Sequence, residues 1–122
     1  MDIKALEKEV ALLHERVCSA MSDTTRIMIL YLLSEGNMYV NDIAEALTQP
    51  QSTVSRHLKI LRERGLVATE RQGTAILYSL PDRRIIEALD LMRYILNDQV
   101  MAEALITKTS PTSEHSKKEK VK

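Results

Sequence analysis

The sequence of 122 residues is poor in the residue types that build large or cross-linked cores. It has no Trp, no Phe and only four Tyr, so its core must consist of aliphatic side chains and Met. A single Cys excludes a framework of intramolecular disulfides. The length fits one domain and is too short for a catalytic domain together with a regulatory one. Such a monomer would be marginally stable, which favours burial of further surface against a second subunit.

The sequence also lacks the signatures of a membrane protein, a secreted protein and an enzyme. No apolar run is long enough to span a bilayer, and Asp2 and Lys4 stand where the apolar stretch of a signal peptide would begin. We therefore expect a cytoplasmic protein with no membrane partner. No nucleophile–base pair, Gly-rich phosphate loop or paired-carboxylate cleft can be recognised, so neither an enzyme nor a bound cofactor is expected.

The most informative segment covers residues 50–67 and reads PQSTVSRHLKILRERGLV. Apolar residues recur at helical spacing and form a stripe: Val54, Leu58 and Leu61. The opposite face carries hydrogen-bond donors and cations: Thr53, Arg56 and Lys59. One face of such a helix can pack on a core while the other meets phosphates and base edges. An ordinary solvated surface helix has the same pattern, so the flanking elements must distinguish the two.

Those flanking elements predict a helix-turn-helix followed by a wing. Downstream, residues 67–71 and 75–80 are β-prone runs joined by Gln72, Gly73 and Thr74, and Gly73 supplies the positive φ of a tight hairpin. Two strands alone are marginal in water, so the hairpin must pack on the helices. Upstream, a short helix is indicated by Val40, Ile43, Ala44 and Leu47, and Pro50 breaks it. In this order of elements the second helix enters the major groove of DNA.

On these residues the chain resembles the ArsR/SmtB family of winged-helix bacterial repressors. SDTTRIMILYLL at residues 22–33 is similar to the family's helix after its SDPTR start, and NMYVNDIAEAL at residues 37–47 to the first helix of its DNA-binding motif. Residues 50–67 resemble its recognition helix, and RQGTAILYSL at residues 71–80 resembles its wing. The resemblance covers residues 5–100 approximately. It implies a homodimeric, sequence-specific regulator of transcription, a repressor.

The predicted fold is mainly α with a small β-hairpin: five helices and a two-stranded antiparallel wing, dimerising through the first and last helices. The first helix covers residues 2–19, and the next is capped by Ser22 or Asp23 and ends at Gly36. Pro81 and Asp82 open the last helix, which runs to about residue 106.

Apolar residues are frequent on the first and last helices, more so than the outer surface of a small monomer permits. They either cover the domain core or form a symmetric two-fold interface, and the interface is the interpretation that we favour. The resemblance implies the same interface. A symmetric dimer places two recognition helices about 34 Å apart, one turn of DNA, and therefore predicts a palindromic operator.

Charge is unevenly distributed although the formal net charge is zero. Residues 1–50 carry a net −4 and residues 75–106 a net −2, whereas residues 51–74 and 107–122 each carry a net +3. The positive charge thus coincides with the predicted recognition helix, the wing and the tail, where phosphates would be met. We assign residues 1–106 to a winged helix-turn-helix domain for DNA binding and dimerisation. Residues 107–122, rich in Ser, Thr and Lys, are predicted to be a disordered tail.

The predicted DNA contacts come from the helix at residues 51–64 and the wing at residues 71–75. Arg56 is the best candidate for base readout, because its guanidinium can pair with guanine O6 and N7. Gln51 is suited to adenine, Ser52 or Thr53 to a phosphate or a thymine methyl group, and Lys59 to the phosphate backbone. His57 adjoins the apolar stripe, which favours a partly buried, hydrogen-bonded histidine slightly over a base contact. The full predicted set is Gln51, Ser52, Thr53, Ser55, Arg56, His57, Lys59, Arg71, Gln72 and Thr74.

The metal sites to which the resemblance points have lost their ligands here. The family's Cys-Val-Cys matches Tyr39-Val40-Asn41, which contains no thiolate. At its site on the last helix, Asp82 and Asp98 remain as carboxylates, but Arg84 and Ile95 replace the imidazoles. Carboxylates without nitrogen or sulfur ligands bind transition metals poorly. We predict no metal site, and an effector that is a small molecule between subunits or is absent.

Two alternatives remain open at the level of sequence. His14 and Cys18 are four residues apart on one helix face, so they could form a metal or thiol sensor across a dimer axis. A Cys packed as a small apolar residue beside a surface His is the commoner arrangement. The winged helix could also serve protein–protein contact alone, although the cationic face around Arg56 argues against this.

Overall fold

The computed structural model describes residues 1–109, with side chains to residue 106, and confirms the predicted mainly α fold with its hairpin wing. The α-helices of this part of the chain are α1 Ile3–Leu13, α2 Thr24–Glu35, α3 Val40–Leu47, α4 Gln51–Glu63 and α5 Arg84–Thr109. Its strands are β1 Met38–Tyr39, β2 Ala68–Gln72 and β3 Ala75–Ser79. None of the helices described here has both the length and the apolar character needed to cross a lipid bilayer.

Two compact units make up the chain. The first, residues 1–86, contains α1 to β3 and the start of α5, and the second begins at Glu87 and contains the rest of α5. The predicted domain over residues 1–106 includes the first unit and most of the described part of the second. The predicted tail begins at residue 107, but α5 continues to Thr109. The rest of the tail prediction, from residue 110 onward, lies outside the described residues.

The first helix differs from its prediction at its C-terminal end. The periodicity predicted one α-helix over residues 2–19, whereas α1 ends at Leu13 and passes into a π-helical turn, His14–Cys18, and then a 3₁₀ turn, Ala20–Ser22. In the π-turn the Ser19 N–H donates to the His14 carbonyl five residues back, at 2.9 Å. In this sequence Val10, Leu13 and Val17 keep the three- and four-residue spacing of an α-helix through the π-turn, so periodicity does not reveal it.

The core of the first unit is aliphatic, as the composition predicted. Its largest fully buried side chains come from α2, α3 and α4: Ile29, Leu30, Ile43, Val54, Leu58 and Leu61. Asp23 caps α2, accepting a hydrogen bond from the Thr25 N–H at 2.8 Å, and Gly36 ends that helix, both as predicted. Three helices therefore bury their apolar faces against one another and leave the polar face of α4 outward.

The sheet has one strand more than the sequence predicted. β3 lies between β1 and β2, and both pairs are antiparallel. The short β1 pairs Met38 with Tyr78 and Tyr39 with Leu77, which joins the wing to the segment before α3. Two residues are too few for an alternating pattern to be recognised. The extra strand supplies the third partner that an isolated hairpin needs.

The last helix begins later than predicted. Pro81 and Asp82 precede α5, and the Asp82 carboxylate accepts from the Arg84 backbone N–H at 2.9 Å and from the Arg84 guanidinium at 2.7 Å. These hydrogen bonds lower the pKa of Asp82 from 3.8 to about 2. In the second unit α5 exposes large apolar side chains along its length: Leu91, Met92, Tyr94, Ile95, Leu96, Val100, Met101, Leu105 and Ile106.

Candidate nucleic-acid interface

The turn between α3 and α4 sets the direction of the recognition helix. α3 ends at Leu47, and its C-cap residue Thr48, with a φ of 53° in the left-handed region, reverses the chain. The Gln49 N–H donates to the Ala44 carbonyl, and the Gln49 side-chain amide donates to the Thr25 hydroxyl on α2 at 3.0 Å. Pro50 then occupies the N-cap position of α4, where no intrahelical donor is required. Hydrogen bonds to α3 and to α2 therefore hold the turn in place.

The two faces of α4 separate as the sequence pattern predicted. Val54, Leu58 and Leu61 are fully buried. Most of the predicted contacts on this helix are exposed: Gln51, Ser52, Ser55, Arg56 and Lys59. Thr53 and His57 are half-buried, so they lie at the border between the two faces. The exposed set combines amide, hydroxyl, guanidinium and ammonium donors, which are the groups that bind phosphates and base edges.

His57 joins the recognition helix to the start of α2. Its Nδ1 lies 3.1 Å from Arg26 Nη1, and its Nε2 lies 4.0 Å from the Asp23 carboxylate. Because a guanidinium can only donate, Nδ1 accepts and Nε2 carries the proton. The hydrogen bond from the Thr25 N–H, together with the nearby positive charge of Arg26, lowers the pKa of Asp23. His57 therefore has partners within the protein, and its role as a DNA contact stays a prediction.

The tip of the wing presents the other predicted contacts. Arg71, Gln72 and Thr74 are all exposed, and Gly73, with φ of 64°, makes the reversal between the paired residues Gln72 and Ala75. The loop is thus one residue shorter than predicted. The Tyr39 hydroxyl donates to the Gln72 side-chain oxygen at 2.9 Å. This bond orients a wing side chain from the residue that precedes α3.

Cations dominate the exposed surface of these two elements. Arg56, Lys59, Arg62 and Arg71 are exposed, and the nearby acids are Glu63 and Glu70. The Gln72 side-chain amide donates a hydrogen bond to the Glu70 carboxylate at 3.4 Å, so one of these two acids already has a partner within the wing. The surface is therefore suited to a polyanion with regularly spaced phosphates.

Comparison with known proteins identifies the family. Residues 23–69, which span α2 to the start of β2, match the family described as bacterial regulatory protein, arsR family. The HTH-type transcriptional regulator NmtR of Mycobacterium tuberculosis is 39% identical over 85 residues, 70% of this chain and 71% of NmtR. The chain belongs to the ArsR family. The resemblance noted in the sequence is thereby confirmed.

Further relatives of this ArsR-family chain agree with its fold. The transcriptional repressor SdpR of Bacillus subtilis is 36% identical over 81 residues, which cover 66% of this chain and 90% of SdpR. Among solved structures, the homodimeric winged helix-turn-helix DNA-binding domain Mb0332 of Mycobacterium bovis is 31% identical, with a TM-score of 0.65. The match covers 82% of this chain and 90% of that one. The winged helix-turn-helix interpretation is confirmed.

The ArsR-family metal positions considered above hold other chemistry in this chain. Tyr39 donates to the wing, and the Asp82 carboxylate is held by Arg84. His14 and Cys18 both lie exposed in the π-turn. Within residues 1–109 no three His, Cys, Asp or Glu side chains come close enough to hold a metal ion together. The sensor role of His14 and Cys18 stays a hypothesis.

Three positioning contacts were not foreseen from the sequence. They are the bond between Arg26 and His57, the bond between Tyr39 and Gln72, and the bonds from Arg64 to the π-turn. The first joins residues 31 apart and the second residues 33 apart in sequence. No local pattern links such residues, although a polar residue beside an apolar stripe, as His57 is, signals the need for a partner.

Proposed function

We propose that this protein is a homodimeric, sequence-specific DNA-binding transcriptional repressor that recognises a palindromic operator. α4 would lie in the major groove, and residues 71–75 of the wing would lie near the adjacent minor groove. A cytoplasmic location belongs to the same proposal, because a bacterial operator is reached only there. The single observation that carries the proposal is the division of α4 into one fully buried apolar face and one exposed face of donors and cations.

Roles within the interface follow from exposure and reach. Arg56, in the second turn of α4, is exposed and has no partner among the hydrogen bonds described for residues 1–109, so its planar group is available for a guanine. Lys59 is one turn further along and is assigned to a phosphate. Arg71 and Thr74 on the exposed tip of the wing extend the surface beyond the major groove. Repression, rather than activation, is supported by the described role of SdpR.

Dimerisation is supported by exposed apolar surface in each unit. On α1, Ile3 is 57% exposed, Val10 48% and Leu13 49%. Ile3 and Val10 line an open cavity of about 590 Å³ together with Leu6, Glu7, Ala11 and His14. On α5, residues 91–106 expose a row of large apolar side chains. Apolar patches of this extent mark protein interfaces. The solved relative Mb0332 is homodimeric, which supports a dimer here as well.

The effector that would release the protein from DNA is unidentified. The loss of thiolate and imidazole at the family positions supports a signal other than a transition metal. This proposal leaves two possibilities: the effector is a small molecule held between the subunits, or the protein has no effector. Challenging the protein–DNA complex with metals, oxidants and metabolites will distinguish them.

The experiment that tests the function is selection from random duplex DNA, followed by titration of the selected fragment. We expect a palindrome, and an affinity that falls steeply with salt concentration, because phosphate contacts release counterions. No binding to any duplex at low ionic strength would refute the proposal and would favour protein–protein contact.

Two substitutions test the roles on α4. Arg56→Ala should cost about 1–3 kcal/mol and relax the preference at one base position, whereas Lys59→Ala should weaken all sequences alike and reduce the salt slope by about one. Lys8→Ala removes the same charge from an exposed site on α1, outside α4 and the wing, and serves as the control. Equal, sequence-independent losses for Arg56→Ala and Lys59→Ala would contradict the assignment.

A further inference from the structure

The π-turn after α1 leaves the Glu15 backbone carbonyl without the donor that an α-helix would supply. In an α-helix the Glu15 carbonyl would accept from the Ser19 N–H, but that N–H donates to the His14 carbonyl instead, at 2.9 Å. Backbone acceptors that lose their helical partner are generally satisfied by a side chain or by water. π-turns inside helices occur frequently at functional positions.

Two side chains satisfy that carbonyl, and one of them comes from the end of the recognition helix. The Ser19 hydroxyl donates to the Glu15 carbonyl, and Arg64 Nη1 donates both to the same carbonyl and, at 2.8 Å, to the Ser19 oxygen. The two hydrogens of one guanidinium nitrogen thus serve two acceptors on the π-turn. Arg64 is the C-cap residue of α4 and is half-buried, whereas Arg62, two residues earlier, is exposed.

The hydrogen bonds of this junction contribute to the direction of α1, because no fully buried side chain of α1 anchors that helix. Neither α1 nor the π-turn has a buried residue. The Arg64 hydrogen bonds join the π-turn to α4 across 49 and 45 positions of sequence. An open polar cleft of about 560 Å³ lies around the same junction, lined by Glu15, Arg16, Glu63, Arg64 and Gly65, so the contact is not held by packed side chains on every side.

We propose that Arg64 is a positioning residue for DNA binding: it ties the end of the recognition helix to α1, the helix that carries the exposed apolar face of the dimer. This inference rests on the proposed function. In a dimer built on α1, the angle between α1 and α4 sets the distance between the two recognition helices. That distance must match one turn of DNA, about 34 Å. Arg64 therefore acts on the spacing of half-sites and not on a base.

The test measures how strongly the protein discriminates between operators of different half-site spacing. The probes are the selected palindrome, the same palindrome with one base pair inserted at its centre, and a single half-site. In Arg64→Ala and Arg64→Lys we expect affinity for the palindrome to fall about tenfold, a coupling typical of contacting residues, with the half-site affinity unchanged. The ratio between the two palindromes should shrink by a similar factor. Lys retains the charge but lacks the planar fork, so it should not restore the ratio.

Arg62→Ala is the matched control for charge, because it removes the same charge from the end of α4 and leaves the junction intact. Since Arg62 belongs to the exposed cationic surface, this variant should weaken binding to both palindromes by the same factor. It should preserve the spacing ratio. Ser19→Ala removes one acceptor without changing charge, should reduce the ratio about threefold, and should add nothing in combination with Arg64→Ala. Sedimentation must show an unchanged dimer, and circular dichroism an unchanged helix content.

The outcomes separate this inference from the function on which it rests. If the wild type binds no duplex, the proposed function fails. If the wild type binds a palindrome, but Arg64→Ala keeps its spacing ratio or Arg62→Ala loses it equally, only the positioning role is overturned. If Ser19→Ala and Arg64→Ala act additively, the bond between them does not transmit the effect and the inference fails as well.

Discussion

Replacing Leu58 by Ala tests the orientation of α4 on which the DNA interface depends. Leu58 is fully buried, and so are Val54 and Leu61, its neighbours on the same face. Leu→Ala at buried sites costs about 3–5 kcal/mol, and the larger values belong to sites that cannot collapse around the cavity. α2 and α3 both pack against α4 and can close part of the cavity, so we expect a loss of about 3–4 kcal/mol. That is a large part of the roughly 5–15 kcal/mol that stabilises a typical domain.

Urea unfolding followed by far-ultraviolet circular dichroism measures this loss. The absence of Trp rules out indole fluorescence as the probe. With a slope of about 1–3 kcal/mol/M, the midpoint should fall by about 1–4 M. Wild type and variant must be compared at one protein concentration, because dissociation of a dimer would contribute to the apparent stability.

Lys59→Ala is the control, since Lys59 is the next residue along and is exposed. Its stability should stay within about 0.5 kcal/mol of the wild type, while its affinity for DNA falls. A loss below about 1 kcal/mol for Leu58→Ala, or equal losses for both variants, would refute the division of α4 into a buried and an exposed face.

Two further predictions concern the wing and the start of α5. Gly73→Ala places a side chain on a backbone with φ of 64° and should destabilise the protein by about 1–2 kcal/mol. Thr74→Ala, in the same turn, is the control and should have little effect on stability. Equal urea midpoints for the two variants would contradict the turn geometry. Asp82, whose pKa the Arg84 hydrogen bonds lower to about 2, should contribute stability that is present above its ordinary pKa of 3.8 and is lost as the pH falls towards 2. Asp82→Asn should remove this part of the dependence of stability on pH. If the urea midpoints of Asp82→Asn and of the wild type change in parallel along the pH series, Asp82 does not contribute this stability.

The elements that carry their own local signal could be predicted from the sequence. The stripe of Val54, Leu58 and Leu61, the cap at Asp23 and the turn at Gly73 each depend on residues within one or two turns of one another, and each lies where predicted. The β1 strand was missed because it has two residues, and the π-turn because it preserves the apolar spacing.

The candidate site divides in the same way. Exposure of Gln51, Ser52, Ser55, Arg56 and Lys59 follows from their phase on the helix relative to the apolar stripe. Thr53 was predicted on the exposed face but is half-buried, whereas His57 is half-buried, as its place beside the apolar stripe indicated. Arg26 reaches His57 from another helix, and no spacing within α4 encodes that contact.

By itself, the order of residues determined the class of this protein. Hydrophobic phase, turn residues and the cluster of cations in residues 51–74 are local properties, and they specify a winged helix-turn-helix with a polar face directed outward. Only the tertiary structure decided which side chains hold that face in position. Arg64 meets Glu15 and Ser19, and Tyr39 meets Gln72, across more than 30 residues of chain. Such pairs form only when packing brings distant segments together, because a hydrogen bond depends on separation in space and not in sequence.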